Sequence, residues 1–103
     1  MIRVSVMYPN APGKKFDWDY YLKKHIGEGV ENAKSLGLVR CEVDKGLGSN
    51  QPGAPAPYLC VAHMYFNNMG DFQKVMATMG GALMADIPNF TDIQPQIQVS
   101  EIV

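Results

Sequence analysis

The run Tyr58 to Phe66, Tyr-Leu-Cys-Val-Ala-His-Met-Tyr-Phe, constrains the fold of this chain more than any other segment. Its aromatic and β-branched content, bounded by Pro57 before and Asn67-Asn68 after, reads as a strand. Leu59, Val61 and Tyr65 share one face with His63, while Tyr58, Cys60, Ala62, Met64 and Phe66 occupy the other. Both sets are mainly apolar, and a strand like that is covered on both sides. The chain must therefore supply a layer for each face.

Three further segments keep period two. Ile2, Val4, Val6 and Tyr8 alternate with Arg3, Ser5 and Met7 and stop at Pro9. Leu38 to Lys45 sets Val39, Cys41 and Val43 against Arg40, Glu42 and Asp44. Ile93, Pro95, Ile97, Val99 and Glu101 alternate with Gln94, Gln96, Gln98 and Ser100, and Pro95 puts that last strand at an edge or beside a bulge.

Two helices separate these strands. Asp17 reads as an N-cap, Asp19 adds favourable charge to the first turn, and Phe16 and Tyr21 fall at the positions of a hydrophobic staple. Tyr21 and Leu22 precede His25 by four and three residues, which predicts one shared face. The helix is expected to run on through Ile26, Val30, Ala33 and Leu36 to a C-cap at Gly37, although Gly27 and Gly29 each cost about 1 kcal/mol relative to alanine. The second helix starts from Asn68 and repeats Phe72, Val75, Met76, Met79, Ala82 and Leu83 at spacings of three and four. Between the second and third strands, Gly46 to Pro57 is rich in glycine and proline, which predicts a hairpin loop able to act as a lid.

The order βαββαβ predicts one domain over residues 1–103, an α+β ferredoxin-like fold with a four-stranded antiparallel sheet and two helices on one face. The helix-free face is expected to carry Tyr58, Ala62, Met64 and Phe66 and to meet another sheet.

Nine basic and ten acidic residues are interspersed, giving a net charge of −1 and a pI near 6.0, so neither nucleic acid nor a membrane surface is an expected partner. No glycine-rich phosphate loop follows a strand, which argues against a nucleotide cofactor. Two histidines, His25 and His63, are too few for a closed zinc site, and no metal is expected. Cys41 and Cys60, outside any CxxC spacing, suit free thiols in a cytoplasmic protein.

What remains is a group of polar side chains on elements expected to face one core: Tyr8, Tyr21, His25 and His63. They form either a polar network that satisfies itself or a small-molecule pocket, with Met76 and its neighbouring methionines as an adaptable wall. His25 is the candidate general acid or base. Burial in an apolar pocket disfavours a charged imidazole unless a carboxylate pairs with it. A hairpin of the second and third strands would also allow Cys41 to approach His63 as a thiol-imidazole pair.

The block Phe16-Asp17-x-x-Tyr20-Tyr21-Leu22-x-x-His25, with Asp86-Ile87-Pro88-Asn89-Phe90-Thr91-Asp92 and Pro95 near the other end, resembles the EthD family, named for ethyl tert-butyl ether degradation. Gly27 departs from the pattern, since family members often carry proline there. The resemblance implies a dimeric α+β barrel, a homodimer whose sheets face each other. It makes Asn89 and Thr91 candidates for orienting His25 or a ligand. Members are often labelled reductases, and related barrels include isomerases, cofactor-free monooxygenases and dehydratases or cyclases. Three functions follow as expectations: a cofactor-independent enzyme using His25 on a hydrophobic carbonyl or phenolic compound in a catabolic or secondary-metabolite pathway, a ligand-binding accessory to an oxygenase, and an EthD-type reductase.

Overall fold

The computed structural model describes residues 1–103. Strand β1 (Ile2–Pro9) leads into a helical run of three parts: α1 (Trp18–Tyr20), a π-helical segment (Tyr21–Ile26) and α2 (Gly27–Lys34). The hairpin of β2 (Leu38–Lys45) and β3 (Tyr58–Phe66) follows, then α3 (Met69–Asp86), a 3-10 turn (Ile87–Asn89) and β4 (Gln96–Glu101). The sheet order is β2-β3-β1-β4 with every neighbouring pair antiparallel, so the fold is ferredoxin-like, as the element order implies. No helix is long and apolar enough to cross a membrane.

The register decides which face of β3 meets the helices. Val4, Val6 and Tyr8 lie opposite Met64, Ala62 and Cys60, and Val4 and Phe66 pack with Ala33 of α2 and Val75 of α3. The helices therefore cover the set Cys60, Ala62, Met64 and Phe66, and Val61, His63 and Tyr65 lie on the helix-free face, while Leu59 falls at the register shift and packs against the cluster of Tyr8, Cys60 and Phe90. This reverses the expected assignment for Ala62, Met64 and Phe66, whereas Tyr58, beyond the register shift at Tyr8/Pro9, pairs with Pro9 and stays on the helix-free side. Both sets of β3 are apolar, so alternation along the strand carries no contrast, and the parity comes only from the partner strand.

A bulge corrects β2 as well. Leu38 pairs with Phe66 and Arg40 with Tyr65, which leaves Val39 as the extra residue, 42% exposed, while Leu38 turns into the core.

The Asp17 cap forms as expected, its carboxylate accepting the Tyr20 amide at 3.1 Å, and the Phe16 and Tyr21 rings pack 5.1 Å apart as the staple. The next turn is wider than an α-helix. The Gly27 amide donates to the Leu22 carbonyl, five residues back, and a Cβ at Gly27 would stand 3.2 Å from that oxygen. Tyr21 stays buried, but Leu22 is 45% exposed and does not share its face. The helix ends at Lys34, so Leu36 lies beyond it, and Gly37 takes φ +117° where a Cβ would strike the Asp71 side chain. Pro95 stands just before β4, which is an edge strand.

The loop between β2 and β3 is tied to the far end of β1: Asn10 donates its amide to Pro57 O and its side chain to Ala56 O, both at 3.0 Å. None of its residues lines the interior cavity.

Candidate functional site

The two ends of the helical layer are stitched together by backbone. Phe16 and Thr91 form a lone antiparallel bridge, the Asp17 amide donates to Phe90 O at 2.8 Å, and Thr91 Oγ1 donates to Lys15 O at 2.6 Å while accepting the Ile93 amide at 3.0 Å. This junction pushes Phe90 fully inside, where its ring lies 4.7 Å from that of His25 and 5.0 Å from that of Tyr21. Tyr21 in turn stacks on His25 at 5.7 Å and 18°. The imidazole is held between two aromatic side chains.

Its remaining freedom is removed by Asp86, the last residue of α3. His25 Nδ1 and Asp86 Oδ2 are 2.9 Å apart, the Tyr20 hydroxyl donates to Asp86 Oδ1 at 2.6 Å, and Asn89 Nδ2 donates to the same oxygen at 2.9 Å. Burial by itself raises the Asp86 pKa, but the hydrogen bonds from Tyr20, Asn89 and His25 outweigh it and hold the carboxyl below its ordinary range. An ionised carboxylate only accepts, so Nδ1 carries the shared proton, and Nε2 is the ring nitrogen through which a second proton can be taken up or given. Nε2 makes no hydrogen bond within the chain. Asp86 is thus the carboxylate partner on which the expectation for His25 depended. Its presence replaces simple desolvation with a His25–Asp86 dyad.

The ring forms part of the wall of a cavity of about 100 Å³ between the sheet and the helices. Val6, Val30, Val75 and Met79 are typical of its lining, no Asp, Glu, Lys or Arg reaches it, and Tyr8, Tyr21 and Cys41 are its other polar side chains. Burial, with Cys60 adding to it, pushes the Tyr8 and Tyr21 hydroxyls well above the ordinary tyrosine range. Burial likewise pushes the Cys41 and Cys60 thiols up to about 11, which keeps them protonated. No three His, Cys, Asp or Glu side chains converge where a metal ion would sit.

The structure thus brings Tyr8, Tyr21, His25 and Met76 to one cavity and separates the rest. Asn89 reaches Asp86 from the outside and does not line the cavity. Thr91 is 2% exposed with its hydroxyl engaged by backbone on both sides, so it locks the chain instead of facing a ligand. His63 is on the helix-free face, where Nε2 meets Asp44 at 2.9 Å and Nδ1 meets Ser5 Oγ at 3.3 Å. Cys41 is paired with Met64, one register step from the Glu42–His63 pair, so cysteine and imidazole point to opposite faces. The row Ser5, His63 and Asp44 lies on the helix-free face and does not line the cavity.

Tyr20, Asp86 and Phe90 stand in the two EthD-like blocks but carry no site role in the sequence reading. Asp86 has one further signal. A carboxylate at the C-terminal end of an 18-residue helix opposes the helix dipole, so something else must hold it there.

The sequence matches the EthD domain over residues 14–94. The crystal structure of an EthD-like protein from Ralstonia eutropha is 32% identical and superposes with a TM-score of 0.90, covering 99% of this chain and 91% of that one. An EthD family protein from Bacillus halodurans, 15% identical, superposes at 0.64 over 100% of this chain and 99% of that one. A dimeric ferredoxin-like protein from an uncultured marine organism, 12% identical, shares the fold at 0.55, over 99% of this chain and 97% of that one. No curated protein sequence matches.

Proposed function

This chain belongs to the EthD family, and we propose that it is a small-molecule enzyme that transfers a proton at His25 on an apolar compound carrying one hydrogen-bonding group. The observation that carries this reading is the His25–Asp86 dyad set in the wall of an otherwise apolar cavity. Asp86 fixes the tautomer, Tyr21 and Phe90 fix the ring plane, and Nε2 is left to meet a ligand. An engineered apolar cavity of about 150 Å³ holds benzene. At about 100 Å³ this one suits a single ring or a short branched chain, with Met76, Met79 and Met84 yielding to admit it.

The chemistry that fits is acid–base. Nε2 takes a proton from a carbon next to a carbonyl, or from a phenol, and returns it to another atom of the same molecule, so the conversion is an isomerisation or a step of a cyclisation that consumes neither oxidant nor reductant. The groups around the cavity supply proton transfer and orientation, which favours this over the reductase reading. The functional unit is a homodimer joined through the helix-free sheet faces, where Met7 and Val61 pair as an apolar centre; the dimeric state named for the marine neighbour supports it. Native mass spectrometry of the purified protein tests the proposal by identifying a co-purified ligand, followed by incubation of that compound with wild type and His25→Gln. Conversion by wild type alone supports the enzyme. Tight binding without conversion assigns a carrier role instead.

A further inference from the structure

A second hollow of about 330 Å³ lies on the outer surface between α2 and α3, edged by the polar side chains of Tyr20, Lys24, Glu28, Asn32, Thr78 and Asp86. It shares four residues with the interior cavity: His25, Gly29, Met79 and Leu83. These four are the partition between the two spaces. Gly29 contributes no side chain to it, and Leu83 Cδ2 stands 3.4 Å from the place where a Cβ on Gly29 would be. Met79 and Leu83 are flexible and only partly buried.

We propose that this outer cleft is the polar subsite and the mouth of the cavity: a ligand passes between Gly29 and Leu83 with its apolar end leading and comes to rest with its polar group at His25. The inference rests on the ligand reading above and specifies it further, since the hydrogen-bonding group must be terminal. The geometry also explains why His25 faces both ways. Nδ1 and its carboxylate lie toward the cleft, where Tyr20 and Asp86 are in reach of water, so the imidazole exchanges its proton with solvent while an apolar body fills the interior. Gly29 is unfavourable within a helix, and any side chain there would narrow the passage.

Exchange of toluene and phenol, followed by NMR on the intact protein, tests the route. Gly29→Val is expected to slow both entry and release by about tenfold, a barrier change of about 1.4 kcal/mol, with a much smaller change in Kd, and Leu83→Ala is expected to speed both. Phenol is expected to shift the His25 ring resonances more than toluene does. Should Gly29→Val fail to fold, Leu83→Ala decides alone. Rates unmoved by Leu83→Ala overturn the proposal, as does exchange that Met84→Trp slows at the opposite side of α3 while Gly29→Val leaves it untouched. Wild type that binds neither probe overturns the ligand reading itself and the route with it.

Discussion

His25 Nδ1 lies 2.9 Å from Asp86 Oδ2 across 61 residues of sequence, and their side chains are only 11% and 25% exposed. The pair joins the π-helical turn to the end of α3 and so fixes the partition between an apolar cavity and a polar cleft.

Replacing His25 by glutamine is expected to weaken binding of the co-purified ligand, or its turnover, by tenfold or more in calorimetric or activity assays. Stability should fall by only about 1 kcal/mol, because Asp86 keeps its bonds from Tyr20 and Asn89 and some access to water. A markedly destabilised variant that binds normally would make His25 a core residue.

Asp86 predicts an acid dependence. Its carboxyl titrates lower in the folded protein than the ordinary 3.8 of an unfolded chain, so its contribution to stability is complete above that value and is lost as the pH falls through the lower, folded value. Denaturant midpoints of wild type should therefore drop more steeply than those of Asp86→Asn between neutral pH and pH 3. Parallel curves for the two proteins would contradict this.

Thr91→Val keeps the shape but removes the hydroxyl, leaving the Ile93 amide and the Lys15 carbonyl without their partner. Urea unfolding should show a loss of about 1–3 kcal/mol, and ligand affinity in the folded variant should stay within about twofold.

Phe90→Ala removes a fully buried ring that touches both His25 and Tyr21. The expected cost is about 3–5 kcal/mol, measured by thermal unfolding. Phe90→Leu, retaining most of the volume, should fold well and broaden the His25 ring resonances, because one side of the clamp is lost.

The proposed homodimer should appear by light scattering as a single species of twice the chain mass, with an interface on the order of 2,000 Å² or more. Val61→Asp, which places a charge at the centre of the helix-free face, is expected to give a monomer that still binds toluene. A monodisperse wild-type monomer at micromolar concentration would remove the dimer.

Local chemistry was legible in the sequence because its causes lie within a few residues. Period two marked all four strands, Asp17 and Asn68 capped the helices they were assigned to, and the order of elements led to the ferredoxin-like sheet. The EthD blocks are legible for the same reason. Three features were decided by tertiary structure alone. His63 and Cys41 go to opposite faces because the β2–β3 register sets Cys41 opposite Met64 and Glu42 opposite His63. Leu22 left the buried face because the Gly27 amide reaches back five residues, a bond that an α-helical pattern does not announce. Asp86 met His25 only because Thr91 and Phe90 fasten the end of α3 against residues 15–17. A contact between residues 61 apart leaves no periodicity in either segment, since it depends on how two helices are docked on one sheet and not on the residues beside it in the chain.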